Sequence, residues 1–223
     1  MPMEMDAIAT AFDLTRTGDR WTGRVGGSEV TGIHTGMGPP LTRAAIKKVL
    51  AWEERVDHIM IAGICGGLDP AVPVGTLISP ETLVLHTTGA TYVHRPPGNL
   101  PVSGKLMTTE GVNLDPVLIR RFSDDGCVAV DMESAAVAEV CESVGTPWSV
   151  YRCISDRPFD GLLDDRVIAA TNQDGTADIE AISRLLADDP SLGPKLETLA
   201  RDSTNGARLA AESARRGCLA LGG

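Results

Sequence analysis

Three short, largely apolar runs constrain the fold of this chain more than any other feature of its sequence. They are HIMIAG (58–63), CVAV (127–130) and PWSVYRCIS (147–155). Continuous apolar runs of this length are typical of strands that are covered on both faces. Helical patterns alternate with them, as in PLTRAAIKKVLAWEERV (40–56) and MESAAVAEVCESVG (132–145). The alternation predicts an α/β fold with three layers, α/β/α, around a mixed, mostly parallel central sheet.

Composition narrows the class of protein further. With 223 residues, 43% of them hydrophobic, the chain can bury one core, so we expect a single domain over residues 1–223. A formal charge of −10 disfavours nucleic acid or an anionic membrane as a partner, because both reward clustered Lys and Arg. Five cysteines without a C-x-x-C pair indicate reduced thiols in the cytoplasm and no metal site. No apolar window is long enough for a membrane span.

Other local patterns give further expectations. The segment GICGG (63–67) reads as a glycine loop after the first buried strand, and Asp115 as the N-cap of a short helix. Two helical segments follow at 176–189 and 195–221, with an interruption expected at Asn205-Gly206. Arg152 lies in the middle of a predicted strand, where it is expected to pair with a buried carboxylate.

Three strand ends carry the groups that could form a site. They are the glycine segment with Gly66, the run Asp131-Met132-Glu133, and the pair Ser155-Asp156. Ligands in open α/β sheets bind beyond such ends. The glycine segment lacks the G-x-G-x-x-G spacing of a dinucleotide site. Asp131 is expected to cap the following helix, whereas Glu133 could face a ligand; for Asp156 a turn and a site remain equal alternatives.

Taken together, the motifs AGICGGLDPAVPVGTLI, AVDMESAAVAEV and YRCISD resemble the purine nucleoside phosphorylase and nucleosidase superfamily, most closely its methylthioadenosine/S-adenosylhomocysteine nucleosidases. The resemblance implies that Asp156 donates a proton to N7 of the purine and that Glu133 binds the ribose 2′- and 3′-hydroxyls. It also implies that Met132 packs under the sugar and that backbone groups of Val112 and Asn113 cradle the base. Gly66 and Ser155 complete the expected substrate-binding set.

The resemblance also bears on the attacking nucleophile. Phosphorylases of the superfamily present arginine and serine side chains to phosphate, and here the corresponding positions read Ile61 and Ile64. Hydrolysis is therefore expected. The family's water-activating glutamate aligns with PMEMDA, which puts Asp6 at the base position with Glu4 two residues before it. In the family a strand precedes this motif, and we expect that strand to be truncated or to precede Met1.

The sequence thus predicts a nucleosidase that cleaves the N-glycosidic bond of a purine nucleoside or a 5′-substituted adenosine. The substrate is a small molecule and no cofactor is implied. By analogy with the family, a homodimer or larger homo-oligomer is expected. Two alternatives stay open: a purine nucleoside phosphorylase, and a non-catalytic nucleoside-binding protein. The best arguments for the second are the missing first strand and Arg157, because a guanidinium close to Asp156 would lower the pKa of the acid.

Overall fold

The computed structural model describes residues 1–97 and 101–221. In this part of the chain the helices are α1 (Pro2–Phe12), α2 (Pro39–Trp52), α3 (Pro116–Asp124), α4 (Ser134–Val144), α5 (Asp165–Ala169), α6 (Ile179–Asp188) and α7 (Leu192–Leu221). The strands are β1 (Thr15–Thr17), β2 (Arg20–Val25), β3 (Ser28–Gly32), β4 (Ile59–Gly67), β5 (Leu77–Ile78), β6 (Thr82–Leu85), β7 (Ala90–Val93), β8 (Lys105–Thr108), β9 (Cys127–Asp131) and β10 (Trp148–Asp156).

The central sheet has the strand order β5-β10-β4-β9-β8-β6-β7, and β1-β2-β3 form a separate antiparallel sheet. Within the described residues of the central sheet, β10/β4, β6/β8 and β8/β9 are parallel pairs. The pairs β10/β5, β4/β9 and β6/β7 are antiparallel. The prediction of a mixed sheet is confirmed, although its parallel share is smaller than expected.

Helices cover both faces of this sheet, as the pattern predicted. Successive side chains of a strand point to opposite faces. In β4, Ile59 and Ile61 pack in a core that includes residues of α4, whereas Met60 and Ala62 pack in a second core with residues of α1 and α7. The structure therefore has three layers, with α4 on one face of the sheet and α1 and α7 on the other.

The predicted glycine loop is a strand. Gly63–Gly67 continue β4, which pairs with β10 up to Gly66 and with β9 at Gly66 and Gly67. Glycine is rare in strand interiors unless another group approaches the backbone closely. That is the case at Gly63, where an added Cβ would lie 2.0 Å from Oε1 of Glu4. Glycine is needed at Gly63 because the side chain of Glu4 lies against the backbone there, and not because the chain turns.

Most helix predictions are confirmed, with one exception near the C-terminus. Asp115 caps α3 by accepting a hydrogen bond from the backbone N–H of Val117. The expected interruption at Asn205-Gly206 is wrong, because α7 runs through both residues. A Cβ at Gly206 would lie 3.2 Å from Ile64, so glycine lets the helix approach the sheet closely. Tertiary packing offsets its low helix propensity, which costs about 1 kcal/mol.

Within the described residues, no helix has both the length and the apolar character needed to cross a membrane.

Candidate active site

The C-terminal ends of three central strands meet at one cavity. β10 runs parallel to β4 and ends with Asp156 beside Gly66. β9 pairs with β4 in the opposite direction, but only over the last residues of each strand, which brings Val130 beside Gly66. The cavity has a volume of about 490 Å³, and Gly66, Asp131, Glu133 and Asp156 all line it. The topology thus brings together the three strand ends that the sequence singled out.

Asp156 forms one side of the cavity. Its Oδ1 lies 2.5 Å from the hydroxyl oxygen of Ser155. Burial raises the pKa of Asp156; the Ser155 hydroxyl partly opposes this, and the nearby Asp160 adds to it. An acid of this kind keeps its proton to higher pH than an exposed aspartate, which suits a proton donor.

Arg157 does not neutralise this acid. Its guanidinium donates to the backbone carbonyl of Val72, and its Nη1 lies 4.0 Å from Oδ1 of Asp160. The side chain therefore does not pair with the carboxyl group of Asp156, and the argument from Arg157 for a pocket that only binds is removed.

Three of the acids that line the cavity surround Arg152, which is buried in β10. Its Nη2 lies 2.7 Å from Oδ2 of Asp131 and 3.0 Å from Oε2 of Glu133. Its Nη1 lies 3.6 Å from Oε1 of Glu4 and donates to the carbonyl of Ile64. The expected pairing of Arg152 with a buried carboxylate is confirmed, and the pairing extends to three acids.

Asp131 both pairs with Arg152 and accepts a hydrogen bond at the start of α4. Its Oδ1 accepts a hydrogen bond of 2.6 Å from the hydroxyl of Thr108, and its Oδ2 accepts one of 3.1 Å from the N–H of Ser134. The expected capping interaction at the start of α4 is present. Because these bonds fix the carboxylate, Asp131 also fixes the position of Arg152.

Glu133 occupies the last position before α4. Its Oε1 accepts a hydrogen bond of 3.2 Å from the N–H of Gly38, and Arg152 holds the other oxygen. Burial raises the pKa of Glu133 to about 7; Arg152 opposes this, whereas Asp131 and Glu4 add to it. Its carboxylate can accept hydrogen bonds from sugar hydroxyls at the cavity surface.

The structure places Asp6, the expected base, away from the cavity. Asp6 is exposed on α1 and does not line the cavity, whereas Glu4 is buried and does. The Oε1 of Glu4 accepts a hydrogen bond of 2.8 Å from the N–H of Ile64, and its Oε2 lies 2.7 Å from the amino group of Met1. Residues two apart on a helix differ by about 200° around its axis, so both cannot face the same site.

The remaining substrate-binding residues of the sequence prediction also line the cavity. Met132 stands between the two acids of its motif, and Val112 and Asn113 lie on the loop before α3. The side-chain oxygen of Asn113 accepts a hydrogen bond from the backbone N–H of Asp115, which fixes this loop. The sequence analysis did not predict that the backbone N–H of Gly38 donates to Glu133. The only feature of the sequence at this position is the Gly-Pro-Pro run at the start of α2.

Within the described residues no group of His, Cys, Asp and Glu side chains has the arrangement of a metal site. The three carboxylates of the cluster converge on a guanidinium instead.

This chain belongs to the phosphorylase superfamily, whose family model matches residues 1–103 and 100–188. It is 28% identical over 169 residues to a 5′-methylthioadenosine/S-adenosylhomocysteine nucleosidase of Marinomonas, covering 62% of this chain and 72% of that one. A relative of the same description from Geobacillus kaustophilus is 27% identical over 60% of this chain and 69% of its own length.

Solved structures show the same fold. A mutant of the Helicobacter pylori methylthioadenosine nucleosidase with 5′-methylthioadenosine in its active site superposes with a TM-score of 0.69, covering 98% of this chain and 94% of that one at 16% identity. The futalosine hydrolase of the same organism superposes with a TM-score of 0.70, with the same coverage and identity. The predicted fold class is therefore confirmed.

Proposed function

We propose that this chain is a nucleosidase that hydrolyses the N-glycosidic bond of a purine nucleoside or 5′-substituted adenosine. The observation that carries the proposal is that a half-buried acid with a raised pKa, Asp156, lines the same cavity as the carboxylates Glu4 and Glu133. The names of the relatives agree with this activity.

Asp156 acts on the leaving group in this proposal. Cleavage of the bond between the anomeric carbon and the base leaves a pair of electrons on the purine, which a proton at N7 stabilises. Because burial raises the pKa of Asp156, its carboxyl group retains a proton to deliver. Ser155 orients that group, and Val112 and Asn113 lie where they can contact the base.

The carboxylates of the cluster act on the sugar and on water. Glu133 accepts hydrogen bonds from the 2′- and 3′-hydroxyls, and Met132 packs against the sugar. Glu4 takes a proton from the attacking water while the water oxygen bonds to the anomeric carbon. Arg152 holds both glutamates at fixed positions, which orients the reactants before the reaction.

Charge at the cavity surface favours water over phosphate as the nucleophile. Among the described residues, the side chains with carboxyl groups that line the cavity are Glu4, Asp131, Glu133 and Asp156, and no Lys, Arg or His lines it; the amino group of Met1 is already paired with Glu4. Arg152 is already paired with three of these carboxylates. A phosphate dianion needs charge-assisted donors and would instead meet carboxylates.

The proposal also covers the assembly and location of the protein. We propose a single domain over residues 1–223 that forms a homodimer in the cytoplasm. Val112 and Val117 support an interface near the cavity, because 44% and 77% of their surfaces are exposed. Five buried free cysteines fit a reducing compartment. Sedimentation analysis measures the oligomeric state.

The activity is tested by incubating the protein with 5′-methylthioadenosine, adenosine and inosine, each with and without phosphate, and separating the products by chromatography. Free base and free sugar in phosphate-free buffer are expected. Release of base only when phosphate is present, with sugar 1-phosphate as the second product, would overturn hydrolysis.

Matched variants test the assignment of the base. Glu4→Gln keeps the size of the side chain and removes the proton acceptor, so kcat should fall by roughly 10²–10⁴-fold. Asp6→Asn makes the corresponding change two residues away on the exposed face, and its kcat should stay within about twofold. The reverse ranking would return the role to Asp6.

A further inference from the structure

A buried hydroxyl group next to the cavity takes no part in the proposed chemistry. It belongs to Thr108, the last residue of β8, which is fully buried and pairs in register with Asp131 at the end of β9. Asp131 lines the cavity, whereas Thr108 does not. A side chain in this position touches no substrate, so any effect that it has on the site must pass through its neighbours.

The hydrogen bonds of Thr108 have a fixed direction. Its Oγ1 lies 2.9 Å from the backbone nitrogen of Ala135, and a backbone N–H can only donate, so the hydroxyl oxygen is the acceptor there. The hydroxyl proton is therefore directed to Oδ1 of Asp131, at an oxygen to oxygen distance of 2.6 Å. One hydroxyl group thus joins the ends of β8 and β9 to the first turn of α4.

The position of Asp131 in turn determines that of Arg152. Because Thr108 holds Oδ1, the other carboxylate oxygen, Oδ2, is the one that lies 2.7 Å from Nη2 of Arg152. The Nε of the same guanidinium donates a hydrogen bond of 3.2 Å to the hydroxyl of Ser134. A planar guanidinium that is held at two of its nitrogens has little freedom to turn. Its orientation is therefore set from the side of β8 and α4.

The same guanidinium contacts both glutamates of the proposed reaction. Its Nη2 also lies 3.0 Å from Oε2 of Glu133, and its Nη1 lies 3.6 Å from Oε1 of Glu4. Since Nη2 contacts Asp131 and Glu133 together, a shift of the aspartate changes the geometry at the glutamate. A displacement of about 1 Å in the reacting groups can lower the rate about 10²-fold.

We infer that Thr108 is a positioning residue for the proposed nucleosidase reaction. Its hydroxyl orients Asp131 and, through it, the guanidinium of Arg152 between the two glutamates. This inference rests on the proposed function and adds to it a residue that touches no substrate. Because the effect depends on one hydrogen bond, it needs the hydroxyl group of the side chain and not the methyl group.

The test measures kcat/KM for base release from 5′-methylthioadenosine in phosphate-free buffer, with urea unfolding to show that each variant is folded. Thr108→Val replaces the hydroxyl by a methyl group and should lower kcat/KM roughly 10–10²-fold, whereas Thr108→Ser keeps the hydroxyl and should stay within about threefold of the wild type. Equal losses in both variants would show that Thr108 acts by packing alone and would overturn the inference. If Thr108→Val does not fold, Thr108→Ala provides the same comparison with Thr108→Ser.

Ser149→Ala is the matched control. It removes an equally buried hydroxyl from the strand that carries Arg152, but this hydroxyl bonds to His58 and does not line the cavity. The control should keep the kcat/KM of the wild type. A loss as large as that of Thr108→Val would mean that any buried hydroxyl has this effect, and the inference would be wrong.

A double-mutant cycle shows whether Thr108 acts through Asp131. Asp131→Asn keeps the size of the side chain but removes the charge that pairs with Arg152. Once that pairing is lost, adding Thr108→Val should change kcat/KM by less than about threefold. Losses that multiply, as they do for independent sites, would contradict the route through Asp131.

Failure of the proposed function is distinguishable from failure of this inference. A wild-type protein that releases no base from any of the nucleosides would overturn the function and the inference with it. Hydrolysis by the wild type that Thr108→Val retains in full would overturn the inference alone.

Discussion

The change Gly63→Ala tests whether the spacing of Glu4 and Arg152 controls the reaction. An added Cβ at Gly63 would lie 2.0 Å from Oε1 of Glu4 and 2.6 Å from Nη1 of Arg152. Contacts of a real Cβ are essentially never shorter than 3.0 Å, so the glutamate oxygen must move by about 1 Å. A displacement of this size in a catalytic group can lower the rate about 10²-fold. Overpacking should also lower the free energy of unfolding by about 1–3 kcal/mol.

The assay is base release under saturating substrate, combined with urea unfolding to show that the variant is folded during the assay. Gly27→Ala is the matched control, because Gly27 is exposed and a Cβ there would meet nothing within 4 Å. The control should keep wild-type kcat. If Gly63→Ala retained kcat within threefold while folded, the reasoning that links this contact to catalysis would be refuted.

Two further predictions concern stability. Arg152→Met removes the cation that the carboxylates of Glu4, Asp131 and Glu133 share, so the free energy of unfolding, measured by urea titration, should fall by about 3–5 kcal/mol. Arg55→Met is the control, because Arg55 pairs with an acid at the exposed surface; it should change the free energy of unfolding by less than about 1 kcal/mol. Burial lowers the pKa of His58 from 6.5 to about 4, so the unfolded chain binds a proton more readily and stability falls as the pH drops from 7 to 5. Because His58 is partly exposed, the loss of unfolding free energy between pH 7 and pH 5 should be about 1 kcal/mol. The unfolding free energy of His58→Gln should therefore depend less on pH than that of the wild type. Parallel pH profiles for the two proteins would show that His58 is not the group responsible.

The layered fold was predictable because its signals are local. Runs such as 58–63 and 147–155 are apolar on both faces, and only strands between helix layers bury both faces in that way. The directions of the strands were not predictable from the same signals. A strand has the same apolar pattern whichever way it runs, so the antiparallel pairing of β4 with β9 required the structure.

Helix and strand boundaries failed where packing outweighed local preference. The glycines of β4 indicated a loop, and Gly206 indicated a helix break, because glycine is unfavourable within both kinds of element. In each case the absent side chain makes room for a neighbour: Glu4 at Gly63 and Ile64 at Gly206. A single sequence does not show which neighbour will be there.

The sequence by itself determined which chemical groups stand at the strand ends, because Glu133 and Ser155-Asp156 follow buried strands whose positions are set by hydrophobic pattern alone. Only the tertiary structure decided where those groups lie relative to one another. Glu4 lines the cavity and Asp6 does not, three carboxylates converge on Arg152, and Arg157 donates to Val72. These arrangements depend on contacts between residues far apart in the chain. Electrostatic and desolvation effects depend on distance in space, and the position of a residue in the chain does not contain that distance.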